Sequence, residues 1–213
     1  LPETGPSGAN VFNKKLTHFN TQTGKCNLQK APWGLFSSYW EWLKPREGEI
    51  WITSGRINER WQSGYDDRRR PYIVQRWPEN WIELHPGFAE AHGIESGDYV
   101  QVYSDRIPVQ TDTIVGVEGD DFDFAKLLKN GHIELTRASI TAVAIVTPAV
   151  KENMGYMDFL HTAQPANALS GRVVDWISGN YNYKMGVGQV RRMGESPYKK
   201  QFRSMSFARR DIA

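Results

Sequence analysis

The chain has one cysteine, Cys26, in 213 residues. That excludes an internal disulfide, and it excludes a cysteine-ligated zinc or iron–sulfur site built by this chain alone. Histidine is thin as well: His18, His85, His92, His132 and His161 are scattered, none lying three or four positions from another. No Gly-x-Ser-x-Gly, His-Glu-x-x-His or glycine-rich phosphate loop occurs, so hydrolase and zinc-enzyme readings have no residues to rest on. Long apolar runs are also missing. Stretches such as residues 142–146 fall far below the ~18–20 residues of a membrane helix, so a soluble chain is expected. An excess of charge of one sign is nearly absent, with 26 basic against 24 acidic residues and a net +2. Such a balance by itself gives no argument for nucleic acid or an anionic membrane. The chain opens on Leu1 with neither a methionine nor a basic-then-apolar leader, and reads as a fragment whose start lies upstream.

What is present suits a globular fold. Hydrophobic residues make up 39% of the chain, enough to bury a core in one large domain or a domain with an extended arm. Residues 1–10 hold prolines, glycines and small polar residues and are expected to be an extended lead-in. Thr23-Gly24 predicts a turn into a short strand. Trp33, Phe36, Tyr39, Trp40 and Trp42 crowd together, a density that fits either a domain or subunit seam or ordinary core packing. The reading of the organisation is therefore residues 1–45 as lead-in and aromatic linker from an upstream domain, and residues 46–213 as the main domain.

From residue 50 onward short strand-like runs alternate with turn residues: Ile50-Trp51-Ile52, Tyr72-Ile73-Val74, Trp81-Ile82-Glu83-Leu84, Tyr99-Val100-Gln101-Val102-Tyr103, residues 107–110 and residues 142–147. His85-Pro86 ends a strand, a helix of one or two turns stops at Gly93, and Gly97-Asp98 turns into the next strand. His85 is read there as structural. Residues 122–130 fit a short amphipathic helix with Asp121 near its start and Gly131 just beyond its end. Asp120, Asp121 and Asp123 read as the acidic opening of that helix and not as metal ligands, since no further ligand completes a shell. The fold class expected is mainly β with short helices (α+β).

Two phrases carry chemistry. In Ile52-Thr53-Ser54-Gly55-Arg56-Ile57-Asn58-Glu59-Arg60-Trp61-Gln62-Ser63-Gly64 a strand opens into small, polar and planar side chains. Ser54 and Gly55 let a ligand approach the backbone, Arg56 and Arg60 supply forked donors, Asn58, Gln62 and Ser63 hydrogen-bond a heterocycle edge, and Trp61 adds a flat apolar face. A polar turn between strands is the plainer reading of the same residues. The second phrase, Gln164-Pro165-Ala166-Asn167-Ala168-Leu169-Ser170, is a proline-set turn that presents an amide at a fixed angle, or an ordinary helix start. A third stretch, Arg68-Arg69-Arg70 between Tyr65, Tyr72 and Trp77, has the basic and aromatic mix of single-strand nucleic-acid binders. Asp66 and Asp67 abut it and no known module surrounds it, so no nucleic acid is expected. Gly179-Asn180-Tyr181-Asn182-Tyr183-Lys184 and the basic end of the chain, including Lys199, are weaker signals.

Ser54-Gly55-Arg56 followed by Arg60-Trp61-Gln62-Ser63 resembles the pterin-contacting loop of the dimethyl-sulfoxide-reductase family of molybdenum enzymes, where Thr-Gly-Arg and His-Trp-His-Thr are commoner. The continuation Gly64-Tyr65-Asp66-Asp67-Arg68-Arg69-Arg70-Pro71 and Gln75-Arg76-Trp77-Pro78-Glu79-Asn80 is similar to the arsenite oxidase large-subunit branch of that family. The resemblance implies a double-psi β-barrel-like domain that binds a molybdopterin guanine dinucleotide, one of the two pyranopterin guanine dinucleotides holding molybdenum. It implies Ser54, Gly55, Arg56, Arg60, Trp61, Gln62, Ser63, Asn167 and Lys199 as cofactor-binding residues, with no catalytic residue and no metal ligand in this chain. For the whole enzyme it implies arsenite as substrate, an iron–sulfur cluster in the missing N-terminal part, a Rieske-type iron–sulfur small subunit, a soluble or quinone-linked electron acceptor and a periplasmic location. A related oxyanion oxidoreductase such as an iodate reductase, and a non-catalytic interaction module, are the alternatives.

Overall fold

The computed structural model describes residues 19, 21–26, 33–57, 59–60, 69–111, 123–159, 161, 163–174, 180–182 and 184–205. The chain divides into two compact units, Leu1–Pro32 and Trp33–Ala213. In the first, the Gly24 amide donates to the Thr21 carbonyl and the Thr21 hydroxyl to the Lys25 carbonyl at 2.7 Å, the turn expected at Thr23-Gly24. The second unit is mostly β. Its elements are α1 (Trp33–Leu43), β1 (Ile50–Gly55), α2 (Pro71–Arg76), β2 (Trp81–Leu84), α3 (Pro86–Ala91), β3 (Asp98–Gln110), α4 (Phe124–Lys129), β4 (Ile133–Val146), β5 (Met154–Asp158), a 3-10 helix (Ala166–Leu169), β6 (Met185–Glu195) and α5 (Lys199–Met205).

Six strands close into a barrel in the order β1-β5-β2-β4-β3-β6. The pairs β1/β5 and β2/β4 are parallel and the rest antiparallel. Strand alternation explains the interior: Ile50 and Ile52, Ile82 and Leu84, Val100 and Val102, and Ala142 and Ala144 sit two apart, so each pair faces the same side, and all eight are buried together. Ala166 and Leu169 of the 3-10 helix join that core. Outside the barrel a second cluster sets Trp77, Trp81 and Phe202 against Val143 and Ile145. Because β2 is covered on both faces, all four of its residues are buried, including Glu83.

Two departures from the sequence reading have physical causes. Tyr72-Ile73-Val74 belongs to α2 and not to a strand: Pro71 occupies the first helical turn, where its missing N–H is harmless, and Ile73 is the one buried residue. Residues 99–103 and 107–110 are a single long strand, interrupted by a register shift between Ser104 and Ile107. Such a bulge re-aims a side chain, and here it sends Arg106 inward. The aromatic stretch forms the helix α1 within the larger unit. Tyr39 and Leu43 are buried with Phe124, Leu127 and Ile133. The Arg106 guanidinium donates to the Trp42, Leu43 and Lys44 carbonyls at 2.9, 3.2 and 2.7 Å, closing the end of α1.

The glycine stops agree with the reading, while the cap of α4 is Asp123 and Asp121 lies outside the described residues. Asp123 accepts from the Ala125 and Lys126 amides at the start of α4, and Gly131 beyond it has φ +77°. Gly93 and Gly97, with φ +61° and +92°, flank the stretch between α3 and β3. No helix among the described residues is long and apolar enough to cross a membrane.

Candidate cofactor-binding end of the barrel

Parallel pairing brings the carboxyl ends of β1 and β5 out side by side, with Gly55 opposite Asp158 and the Phe159 amide bonded to the Gly55 carbonyl at 3.1 Å. β2 runs against β5, so its start lies at the same end, as does the start of β6, whose Met185 pairs with Thr53. The 3-10 helix closes over this end. It approaches that closely because Gly186 has no Cβ: the Leu169 carbonyl stands where one would be. The segments carrying Ser54, Gly55, Arg56, Arg60 and Asn167 therefore meet at one mouth of the barrel.

Ser54 is buried on the same face of β1 as Ile50 and Ile52, and its amide donates to the Lys184 carbonyl at 3.0 Å. At Gly55 a Cβ would collide with the Tyr156 ring and hydroxyl. That hydroxyl donates to the Arg56 carbonyl at 3.0 Å, fixing the backbone while the Arg56 side chain stands exposed. Arg60 is nearly buried, with a side chain 10% exposed. Its Nη1 is ion-paired to Asp158, its Nη2 donates to the Trp77 carbonyl at 3.3 Å, and its Nε has no partner. At the 3-10 helix the Asn167 carbonyl accepts from Ser170 Oγ at 2.9 Å, while its side-chain Oδ1 is buried without a partner.

An unpartnered buried donor and an unpartnered buried acceptor are each disfavoured by roughly 1–3 kcal/mol unless something else satisfies them. A ligand with both donor and acceptor edges does so, and a pterin is such a ligand. The residues present thus fit the group that the resemblance implies. The Arg60 fork points elsewhere than expected, since two of its nitrogens serve Asp158 and Trp77 and one remains. Trp61, Gln62 and Ser63 lie outside the described residues.

Lys199 lies where the end of β6 meets the start of β3, and the helix it opens, α5, packs Phe202 against Trp77 and Trp81. Its ammonium contacts Glu195 at 2.5 Å, Glu95 at 3.1 Å and Asp98 at 3.4 Å. The Glu195 carboxylate above all, with Glu95 and Asp98, raises its pKa well above the ordinary lysine value. Asp98 is fully buried, and burial pushes its carboxyl upward; the Arg192 hydrogen bond, the Glu95 amide and Lys199 outweigh that and hold it below the ordinary range. Asn180, Tyr181 and Asn182 line a cavity of about 250 Å³ with Phe36, Tyr39 and Trp40. Burial there pushes the Tyr39 hydroxyl up to about 12. Among the described residues no three His, Cys, Asp or Glu side chains gather as a metal site.

Sequence reasoning missed Asp158, Tyr156 and Asn80, which hold this mouth together. No local signal marks them, since each acts on a segment far away in the chain.

Residues 50–116 match a family model described as molydopterin dinucleotide binding domain. This chain carries a molybdopterin dinucleotide-binding domain of the dimethyl-sulfoxide-reductase family. The matched segment runs from the start of β1 past the end of β3 and contains the Ser54–Arg60 mouth. The chain is 43% identical over 209 residues to the iodate reductase subunit IdrA of Pseudomonas sp. (strain SCT), covering 96% of this chain and 23% of that protein. The subunit of the same name from Denitromonas iodatirespirans is 44% identical with the same coverage. Arsenite oxidase subunit AioA of Herminiimonas arsenicoxydans is 30% identical over 186 residues, covering 85% of this chain and 18% of that protein. The domain thus spans less than a quarter of the curated relatives it matches. Among solved structures, acetylene hydratase from Pelobacter acetylenicus aligns with 77% of this chain at a TM-score of 0.42 and 14% identity.

Proposed function

We propose that this domain clamps one pyranopterin guanine dinucleotide in the molybdenum subunit of an oxyanion oxidoreductase of the iodate reductase kind. The observation that carries the clamp is the pair of unpartnered buried groups, Arg60 Nε and Asn167 Oδ1, on segments that converge at one barrel mouth. The exposed Arg56 beside them offers a cation to a phosphate or a donor to a carbonyl. When bound, the cofactor supplies oxygen-atom transfer and electron exchange at molybdenum. The domain's own task is to bind and orient it.

Iodate is favoured over arsenite by the relatives: 43% and 44% identity over nearly the whole chain, against 30% over less of it. Arsenite oxidation remains the second reading on the strength of that shared scaffold. An iron–sulfur cluster elsewhere in the parent subunit, a Rieske-type partner and a periplasmic location belong to the same proposal and rest on family resemblance.

Molybdenum and acid-released guanine nucleotide are measured on the parent protein purified from its source, followed by iodate reduction and arsenite oxidation with artificial electron carriers. Molybdenum with guanine nucleotide and faster iodate turnover is the expected result. A folded native protein with neither molybdenum nor nucleotide moves the reading to an interaction module, and arsenite turnover alone restores the arsenite reading.

A further inference from the structure

The open groups at the barrel mouth lie on two separate arms, and one side chain joins them. Asn80 is fully buried just before β2. Its Oδ1 accepts from the Trp81 amide at 2.8 Å. Its Nδ2 donates to the Gln164 carbonyl at 2.6 Å and to the Asp158 carbonyl at 3.4 Å. Asp158 is the residue whose carboxylate holds Arg60, and Gln164 leads directly into Pro165 and the helix of Asn167. Gln164 is in turn fastened to β4 by the Thr141 amide, which donates to its Oε1 at 2.9 Å.

Asparagine matches this place chemically. An acceptor and two donors are needed within one short side chain; aspartate lacks the donors and leucine lacks everything polar. Closure of the sheet does not require them, because the Asn80 backbone carbonyl already accepts from the Val143 amide at 2.8 Å and continues the β2/β4 ladder. What the side chain adds is a fixed spacing between the end of β5 and the approach to the 3-10 helix.

We propose that Asn80 is a positioning residue for the pyranopterin dinucleotide, setting the Arg60 arm and the Asn167 arm at the separation the ligand requires. This rests on the reading of the barrel mouth as the cofactor clamp. Asn80 touches no ligand itself. It acts through the two carbonyls, and Gln164 extends the same strut toward β4.

The test uses the full-length parent protein, wild type and carrying Asn80→Asp or Gln164→Met. Two quantities are followed: the thermal midpoint, and the rate at which guanine nucleotide appears in ultrafiltrate well below that midpoint. Asn80→Asp replaces two donors by an oxygen facing two carbonyls, and release is expected to quicken roughly tenfold in molecules that remain folded. Gln164→Met, at a half-buried position, is expected to quicken release severalfold with little change in midpoint. Lowered midpoints with release at the wild-type rate overturn the proposal and leave Asn80 a purely structural residue. If Asn80→Asp does not fold, Gln164→Met decides, and wild-type release from it overturns the proposal. Wild-type protein without guanine nucleotide overturns the clamp reading and this inference with it, a result distinct from variants that merely match wild type.

Discussion

Two buried arginines brace this domain, and they differ in what is left over. Arg106, at the seam of α1 and β3, has every nitrogen engaged: Nε and Nη2 on Glu49 at 2.9 and 2.6 Å, and Nη1 and Nη2 on the carbonyls that end α1. Its guanidinium also lies 5.1 Å from the centre of the Trp42 ring. Arg60, at the mouth of β1 and β5, has the same kind of carboxylate partner in Asp158 but keeps Nε open. A saturated buried arginine is explained by the fold. One with an open donor, at a barrel mouth where Asn167 also keeps an open acceptor, is what a bound ligand with donor and acceptor edges would account for.

The largest effect that tests this contrast is on stability at the saturated site. Arg106→Met strands Glu49, whose side chain is 7% exposed, and is expected to cost about 3–5 kcal/mol by denaturant titration. Guanine nucleotide per folded molecule is expected to stay unchanged. Arg60→Lys keeps a cation for Asp158 and loses the open donor and the carbonyl bond. It is expected to cost only about 1 kcal/mol and to lower nucleotide content sharply. Equal nucleotide loss in both variants erases the distinction between them.

The same contrast has a pH signature. Burial pushes the Glu49 carboxyl upward, but the Arg106 hydrogen bond, the Arg46 amide and both positive charges outweigh it and hold its pKa below the ordinary 4.5. A carboxylate whose pKa is depressed by folding adds stability above its unfolded value, and that stability is lost as pH falls through the folded value. Acid unfolding of Glu49→Gln is accordingly expected to be flatter below about pH 4.5 than that of wild type, read from thermal midpoints across a pH series. The smallest expected effect is at Tyr156→Phe. Loss of the bond to the Arg56 carbonyl costs about 0.5–1.5 kcal/mol and loosens nucleotide retention modestly, checked by midpoint and ultrafiltration.

Much of the barrel was legible because its strands alternate with period two: Ile50 and Ile52, or Val100 and Val102, announce an inner face without help from the rest of the chain. Gly93 and Gly131 marked the ends of α3 and α4 for equally local reasons. Tyr72-Ile73-Val74 misled because three strand-favouring residues follow a proline that starts a helix, and a three-residue run holds too little periodicity to decide. At the mouth, the loop and the Asn167 phrase stood out through their residue types. Their supports did not, since Asp158 meets Arg60 from 98 residues away, Asn80 meets Asp158 from 78 and Tyr156 meets Arg56 from 100. No window in the sequence contains both partners. Lys199 entered through the resemblance and the basic end of the chain, and the fold surrounds its ammonium with three carboxylates.

The central claim is that the mouth bearing Arg56, Arg60 and Asn167 holds the dinucleotide and that the ion-paired cluster around Lys199 does not. The most direct measurement is molybdenum and guanine nucleotide content, per folded molecule, of full-length parent protein carrying Arg56→Ala or Lys199→Met. The account predicts that both quantities fall together in Arg56→Ala and stay at the wild-type level in Lys199→Met. Unchanged occupancy in Arg56→Ala, with loss in Lys199→Met, would contradict it and place the cofactor at the Lys199 cluster.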